Sequence, residues 1–215
     1  MKNSVFQPKW KNRGITTKHR FNFLLPLIKD KKVLDIGCVV GYRKPNWIHN
    51  SIVTNAKSAI GIDIDQKAIQ EINEMYPKLN VIQGNACAFE LNDEYEVIHA
   101  GELIEHIDNF NGFLTSVKKH LKKDGLFVFS TPNVETINHV LYNLTGGLKV
   151  NDEHVCWFCD KTLTTLLVRN GFKVEEIIFF ETPTYGFRKV LRFFLRVLPK
   201  RLTHSTLIVK ATISK

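Results

Sequence analysis

Short apolar runs rich in β-branched residues alternate along the chain with stretches of helical periodicity. Seven runs have the length and composition of buried strands: Lys32–Ile36, Ala59–Ile64, Asn80–Gln83, Tyr95–Ala100, Leu126–Ser130, Lys173–Phe180 and Ser205–Ile213. Helical patterns occupy Gln66–Tyr76, Gly112–Leu121 and Lys161–Asn170. This alternation predicts an α/β domain with a parallel sheet and helices on both faces. In such open sheets, ligands bind at the carboxyl ends of the strands.

Three segments depart from that alternation within a single predicted domain of residues 1–215. Residues 131–160 are predicted to be part helix and part covering loop on the substrate side. Residues 182–204 are a second substrate-side insertion, with an amphipathic helix over Phe187–Leu198 whose second face carries Arg188, Arg192 and Arg196. Residues 1–30 are predicted to form a basic arm and a helix. The arm has two open roles, as a lid or as a contact for an acidic partner.

The composition indicates the number of domains, the charge of the partners and the cellular location, but not the reaction. With 215 residues and 44% hydrophobic content, the chain suits one domain with a core of its own. The formal charge of +9 favours acidic partners such as nucleic acid, anionic lipid or a phosphorylated molecule. The four cysteines show no regular framework, so we expect reduced thiols and a cytoplasmic protein. The sequence shows no secretory signal and no transmembrane segment, but a peripheral position at a membrane stays open.

Candidate ligand-binding residues stand at the ends of the first three predicted strands. The first strand runs into a turn with Asp35, Gly37 and Gly41, where glycines let backbone N–H groups approach a ligand. Asp63 ends the second strand and can accept hydrogen bonds from ribose hydroxyls, while Asn85 after the third can read an adenine edge. The structural alternatives are a bare turn, a helix N-cap and an Asx-turn. The glycine spacing does not match the dinucleotide fingerprint G-x-G-x-x-G, so the sequence does not favour NAD or FAD as the ligand.

With those residues in place, the chain resembles class I S-adenosylmethionine-dependent methyltransferases, close to the ubiquinone-biosynthesis O-methyltransferase group. The matching pieces are Val33–Gly41, Ala59–Asp65, Gln83–Ala86, Tyr95–His106 and Asp124–Asn133. The resemblance implies a Rossmann-like, doubly wound, mostly parallel sheet of seven strands, the last antiparallel. It also implies S-adenosylmethionine as cofactor, bound by Asp35, Gly37, Gly41, Asp63, Ile64, Asn85, Ala86, Ala100 and Gly101.

By the same resemblance, each part of the cofactor has its own residues. Asp35, Gly37 and Gly41 would line the methionine end, and Ala100 with Gly101 would lie beneath the sulfonium. Two positions depart from the family pattern. The family often has Asp where this chain has Asn85, and it usually has glycine where this chain has Val39. Because a β-branched residue disfavours a positive φ, Val39 predicts weaker binding or a different path for the loop.

The fourth strand runs into Glu102, Glu105 and His106, which share one face if this stretch turns helically. Such a face can hold Mg²⁺ or Mn²⁺, which would activate an acceptor hydroxyl, and makes His106 and Glu105 the candidate catalytic residues. The run is similar to two metal-using groups, the ubiquinone-biosynthesis O-methyltransferases and the small-RNA 3′-terminal 2′-O-methyltransferases. By analogy with the second group, His154 is a fourth metal ligand. Two metal-free alternatives are open: Glu102 and His106 as loop anchors, or His106 as general base.

Three functions follow and stay open at this stage. The first is O-methylation of a small-molecule or lipid-linked acceptor, with an anionic membrane surface as a further partner. The second is RNA ribose 2′-O-methylation, which the charge favours, although no aromatic platform interleaved with basic residues is apparent. The third is a non-catalytic scaffold or membrane-surface module with a decayed cofactor site, which rests on Val39. Cys156 and Cys159 form a C-x-x-C spacing that we interpret as packing.

Overall fold

The structure is a computed structural model that describes residues 13–16, 21–144, 146–147, 150–181 and 197–214. Eight strands form one sheet in the order β1-β7-β8-β6-β5-β2-β3-β4. Their bounds are β1 Arg13–Thr16, β2 Lys32–Ile36, β3 Ser58–Asp63, β4 Val81–Gln83, β5 Tyr95–Gly101, β6 Leu121–Pro132, β7 Phe172–Glu181 and β8 Thr206–Ile213. Every neighbouring pair is parallel except the two pairs that β8 makes with β6 and β7.

The predicted fold class is confirmed, with one strand added. All seven predicted strands are present, and the last of them, β8, is the antiparallel one. The additional strand, β1, pairs in parallel with β7 at the edge of the sheet. It lies within the segment predicted to be a basic arm. Four residues that include a glycine carry too little periodicity to predict an edge strand.

Helices connect the strands, and the side chains of Asp65 and Asn109 cap two of them. Their bounds are α1 Phe21–Ile28, α2 Ile48–Asn55, α3 Gln66–Met75, α4 Phe110–His120, α5 Ile137–Leu144 and α6 Asp160–Arg169, with a 3₁₀ turn at Ile104–His106 and a short helix at Lys200–Thr203. Asp65 caps α3 by accepting a hydrogen bond from the Ala68 N–H at 3.0 Å. The N-cap of α3 is therefore Asp65, and Asp63 does not cap this helix.

Successive strand residues face opposite sides of the sheet and build a core on each side. Leu34, Ile98 and Phe127 pack in the cluster that contains residues of α4 and α6. Val33, Val97 and Val128, one position away, pack with α1 and α2. A third cluster joins α3 to the turn after β2. Helices thus cover both faces, as predicted, and leave the carboxyl ends of the parallel strands as the open edge.

Parts of the predicted insertions lie outside the described residues. The apolar and arginine stripes of Phe187–Leu198 fall mostly on residues 182–196, which lie outside the described residues. Most of the basic arm also lies outside them, at residues 1–12 and 17–20. The 131–160 insertion is described except for three residues and contains α5. Within the described part of the chain, no helix has both the length and the hydropathy that a membrane span requires.

Candidate active site

A cleft of about 820 Å³ opens at the carboxyl ends of β2, β3 and β4. That volume falls within the range of small-molecule sites. Five of the predicted cofactor residues line it together: Gly37, Asp63, Ile64, Asn85 and Ala86. Glu102 and His106 line its other side, so two of the four predicted catalytic or metal residues face the predicted cofactor residues across one space. Strands far apart in sequence produce this convergence because they are parallel neighbours in the sheet.

Asp63 is fixed by the backbone on both sides of its carboxylate. Its Oδ2 accepts the N–H of Val39 at 3.1 Å, and its Oδ1 accepts the N–H of Asp65 at 3.1 Å. A carboxylate has about four lone-pair sites, so each oxygen can still accept one ribose hydroxyl. Ile64 beside it is 69% exposed and offers an apolar surface to a flat base. An acceptor carboxylate beside an exposed apolar side chain is the combination that the predicted nucleoside contact requires.

Asn85 forms the Asx-turn that was the structural alternative. Its Oδ1 accepts the Cys87 N–H at 2.9 Å. The amide group is thereby oriented, and its Nδ2 is the atom that can donate to an adenine. The turn and the adenine contact are therefore compatible, since they use different atoms of one side chain.

The glycine turn after β2 accommodates Val39. Gly37 and Gly41 have φ values of 74° and 84°, in the left-handed region that favours glycine. Among the described non-glycine residues, positive φ values occur only at Asp30 and Glu102. Val39 therefore does not need the conformation that a β-branched residue disfavours. Its side chain is 8% exposed, in the third core cluster.

A smaller cavity of about 240 Å³ adjoins the cleft. Three further predicted cofactor residues line it: Asp35, Gly41 and Gly101. The two spaces share Gly37, Val40 and Glu102, so they communicate at the glycine turn. The nine predicted cofactor residues thus divide between two connected spaces, with one exception that lines neither. Ala100 is completely buried in the core, so its side chain does not reach the site.

Asp35 meets two histidines that the sequence analysis missed. Its Oδ2 lies 2.9 Å from Nδ1 of His49, and its Oδ1 lies 2.6 Å from Nδ1 of His99. Burial alone would raise the pKa of Asp35, but the charge of His99 and the two imidazole hydrogen bonds outweigh it. The pKa is held at about 2, below its ordinary value of 3.8. Asp35 and His99 are register partners of β2 and β5, so two polar residues in neighbouring buried strands were the available signal.

Glu105, His106 and His154 form a group of possible metal ligands. One ligand atom from each lies within 4.8 Å of the others. Glu102 does not belong to this group, although it faces the cleft. It has a φ of 53°, and the 3₁₀ turn starts only at Ile104, so the helical face that was predicted to include Glu102 does not form. His154 joins instead from the 131–160 insertion, as the resemblance implied.

Hydrogen bonds around the group orient its members. Thr131 Oγ1 donates to Glu105 Oε2 at 2.9 Å, and Glu105 is 1% exposed. His106 Nδ1 lies 3.1 Å from the Glu153 carbonyl, which leaves Nε2 as its ligand atom. Burial, then the nearby His106, lowers the pKa of His154. A neutral imidazole is the form that binds a metal or accepts a proton.

The C-x-x-C pair lies near this group without joining it. Cys156 Sγ lies 3.9 Å from the carbonyl oxygen of Ile104, and Cys159 is the N-cap residue of α6. All four cysteines are free, and burial raises the pKa of the Cys156 thiol to about 11. A thiol with a raised pKa is a weak nucleophile, which agrees with a packing role.

Comparison with known proteins supports the same family. A family model described as a methyltransferase domain matches residues 10–177. A Mycolicibacterium smegmatis protein named "Probable S-adenosylmethionine-dependent methyltransferase" is 27% identical over 149 residues, which are 69% of this chain and 54% of that protein. A ubiquinone biosynthesis O-methyltransferase of Rickettsia bellii is 28% identical over 121 residues, which are 53% of this chain and 50% of that protein. The chain thus spans about half the length of these curated relatives.

Solved structures show the same fold at low identity. A SAM-dependent methyltransferase from Archaeoglobus fulgidus matches with a TM-score of 0.63 and 21% identity, over 90% of this chain and 92% of the other. One from Clostridium acetobutylicum matches with a TM-score of 0.61 and 12% identity, over 90% and 87% of the two chains. Since the family model matches more than half of the residues, the chain belongs to the methyltransferase domain family, within its class I S-adenosylmethionine-dependent branch.

Proposed function

We propose that this chain transfers the methyl group of S-adenosylmethionine to a hydroxyl oxygen of a small or lipid-linked acceptor, with a divalent cation at Glu105, His106 and His154. The observation that carries the proposal is that His106 belongs to the group of possible metal ligands and also lines the cleft with Asp63 and Asn85. A cation bound there and a nucleoside bound at Asp63 would therefore be neighbours in one space.

The cofactor half of the proposal rests on three contacts that suit an adenosine. Asp63 offers its remaining lone pairs to the two ribose hydroxyls, and Asn85 offers its amide to the base. Ile64 presents an exposed side chain on the cleft wall, where a flat base can pack. Polar groups at the edges of an apolar wall are typical of a cofactor site.

The cation half rests on the donor set. Two imidazole nitrogens and one carboxylate oxygen converge, and the hydrogen bonds from Thr131 and to Glu153 already orient two of them. Of the two expected ions, the imidazoles favour Mn²⁺, because Mg²⁺ prefers oxygen ligands. A bound cation would lower the pKa of an acceptor hydroxyl and position its oxygen for attack on the methyl group. Without a cation, His106 Nε2 is the atom placed to take the hydroxyl proton.

The acceptor class is inferred from exposed apolar residues in the same insertion as His154. None of the α5 side chains is buried, and Val140 and Leu144 are 49% and 77% exposed. Val155, adjacent to His154, is 59% exposed. Several exposed large apolar side chains in one stretch are unusual on a soluble surface and mark a contact with an apolar partner. A prenyl or acyl chain on the molecule that carries the reacting hydroxyl would cover this surface.

RNA ribose methylation is the second candidate, and one contact favours it. His139 and Trp157 stack with ring centroids 5.2 Å apart and planes inclined by 6°, within the same insertion as His154. Such a pair can extend a stack to an unpaired base, which the sequence analysis did not foresee. Salt concentration distinguishes the two candidates. The affinity for an RNA acceptor should fall steeply with added salt, whereas the affinity for a neutral lipid-linked acceptor should change little.

The testing experiment is calorimetric titration with S-adenosylmethionine, with and without Mn²⁺, followed by methyl transfer to a panel of acceptors. We expect micromolar cofactor binding that Asp63→Ala weakens by about 3 kcal/mol or more, because the carboxylate makes charged hydrogen bonds to two hydroxyls. Transfer should depend on the cation and should be fastest with a prenylated catechol, slower with catechol and slowest with an RNA oligonucleotide.

Asp124→Ala is the matched control, since Asp124 is an exposed aspartate on the part of β6 remote from the cleft. Its cofactor affinity should equal that of the unsubstituted protein. A chain that binds no cofactor at millimolar concentration would overturn the proposal and favour the non-catalytic module. Transfer to RNA alone, with a steep salt dependence, would replace the first candidate with the second.

A further inference from the structure

His49, Asp35 and His99 form a hydrogen-bonded chain beneath the smaller cavity. Both histidines direct Nδ1 at the Asp35 carboxylate, at 2.9 Å and 2.6 Å. Because an ionised carboxylate only accepts hydrogen bonds, each Nδ1 carries the proton. In a neutral imidazole, Nε2 is then a hydrogen-bond acceptor. The aspartate thus fixes the tautomer as well as the orientation of both rings.

The two Nε2 atoms face different surroundings. A Cβ added to Gly101 would lie 3.4 Å from Nε2 of His99, and both of these residues line the cavity. Because Gly101 has no side chain, it leaves Nε2 of His99 uncovered at a point where both residues line the cavity and also a small apolar pocket with Phe21 and Leu24. A Cβ added to Gly61 would lie 3.0 Å from Nε2 of His49, so that atom faces strand β3. It is buried, and no described residue hydrogen-bonds to it.

The position of the cavity relative to the cleft indicates which chemical group enters it. This step rests on the proposed function, with adenosine between Asp63 and Asn85 in the larger cleft. The cavity joins that cleft at Gly37, Val40 and Glu102. A 5′ substituent on the ribose that passes this junction enters the cavity. In S-adenosylmethionine, that substituent ends in an α-ammonium and an α-carboxylate group, which need an acceptor and a cation.

We propose that Nε2 of His99 accepts a hydrogen bond from the α-ammonium group of the cofactor, and that Asp35 and His49 position the ring for it. The negative charge of Asp35 behind the imidazole makes Nε2 a better acceptor for a cation. Lys44 lines the same cavity and provides a positive charge for the α-carboxylate. His99 is thus a cofactor-binding residue, while Asp35 acts through it and is a positioning residue.

The test compares three ligands by calorimetry on the full chain. They are S-adenosylhomocysteine, an analogue with an aminopropyl tail that lacks the carboxylate, and an analogue with a carboxypropyl tail that lacks the amine. His99→Asn keeps a donor near the position of Nδ1 for Asp35 but removes the acceptor in the cavity. We expect this variant to raise Kd about 10- to 100-fold for the two ligands with an amine, as for a hydrogen bond to a charged group. Kd for the carboxypropyl ligand should change less than about twofold.

Further variants separate recognition from structural support. His99→Gln places an amide oxygen near the position of Nε2 and should recover most of the affinity for the amine ligands. Lys44→Ala should show the mirror pattern, with its loss confined to the two ligands that carry a carboxylate. His49→Asn alters the other imidazole on the same carboxylate, so its loss should be smaller than that of His99→Asn and confined to the two ligands with an amine.

Two results would overturn the inference while leaving the proposed function intact. One is an equal loss for all three ligands in His99→Asn, which would mean that His99 only supports the fold. The other is unchanged affinity for all three ligands. If the unsubstituted chain binds none of them, the proposed function itself fails, and the inference fails with it.

Discussion

The cofactor side and the acceptor side of the site lie at one edge of the sheet but are built differently. On the cofactor side, backbone hydrogen bonds tie the strand ends to one another, such as Gly37 N–H to Ile62 O at 2.9 Å and Gly84 N–H to Asp63 O at 2.8 Å. The acceptor side consists of residues 133–158, and its helix α5 has no buried side chain. The proposed cofactor residues are therefore held by the sheet, while the proposed acceptor contacts lie on an insertion whose helix is exposed.

The two sides meet at Glu105. Its carboxylate accepts a hydrogen bond from Thr131 at the end of β6, and its carbonyl accepts the N–H of Val155 at 2.9 Å. The insertion is thus anchored at the chemical centre even though its helix is exposed. If cofactor binding and acceptor chemistry are separable, substitutions on one side should leave the other unchanged.

The largest effect on methyl transfer is expected for a substitution of Glu105, where the two sides meet. Glu105→Gln removes the negative charge from the metal-ligand group but keeps an oxygen for Thr131. Methyl transfer should fall by about 10²- to 10⁴-fold, the range for losing an acid–base or metal function. The affinity for S-adenosylmethionine should stay within about twofold, because Glu105 does not line the cleft. Single-turnover transfer and calorimetry measure the two quantities.

Glu153→Gln is the matched control, since Glu153 contacts His106 through its backbone carbonyl and not through its carboxylate. Transfer in this variant should remain within a few-fold of the unsubstituted rate. A cofactor affinity that falls together with transfer in Glu105→Gln would show that the two sides are coupled.

The next effect concerns acid stability on the cofactor side. The pKa of Asp35 is lowered from 3.8 to about 2, so the stability it contributes is present above pH 4. That contribution is lost as pH falls from about 4 to 2, because the folded state then takes up the proton at a lower pH than the unfolded chain. The shift corresponds to roughly 2 kcal/mol.

Urea unfolding at pH 5 and at pH 2.5 measures this loss. Asp35→Asn, which cannot ionise, should flatten the decline over that interval, whereas Asp124→Asn at an exposed position should not. An unchanged decline in Asp35→Asn would assign the acid sensitivity to other carboxylates.

Val39→Gly restores the residue typical of the family and should cost stability without improving binding. Val39 is 8% exposed, so the variant loses its burial and gains backbone entropy when unfolded, about 2–4 kcal/mol in total. Val40→Gly is the matched control, because Val40 is 83% exposed and should lose only about 0.5–1 kcal/mol. Thermal unfolding measures both. A tenfold gain in cofactor affinity for Val39→Gly would show that valine does obstruct the turn.

The smallest effect on stability is expected on the acceptor side. Leu144→Ala should change the free energy of unfolding by less than about 0.5 kcal/mol, since the side chain is 77% exposed. It should nevertheless raise KM for a prenylated acceptor several-fold and leave KM for the unprenylated ring unchanged. Val168→Ala, at an exposed position on α6, is the control for surface changes. Equal KM changes for both acceptors would remove α5 from the recognition of the lipid chain.

The sequence predicted the mostly parallel sheet and, by family resemblance, its antiparallel last strand, and it proposed Asp63 and Asn85 as cofactor residues. These follow from local patterns, because a buried strand of alternating apolar residues and a polar residue at its end are both visible in a few consecutive positions. The same locality explains the errors. The sequence analysis assumed a continuous helical face for Glu102, whereas a backbone with positive φ separates it from the 3₁₀ turn.

Only the tertiary structure determined which side chains meet. It placed His99 and His49 on Asp35, brought His154 to Glu105 across about fifty residues of chain, and divided the predicted cofactor residues between two connected spaces. The physical reason is that strand register and loop packing set these distances, and neither is encoded in the spacing of residues along the chain. The sequence by itself determined the family and the edge of the sheet that carries the chemistry; the contacts that orient Asp35 and the metal-ligand group were decided by the fold.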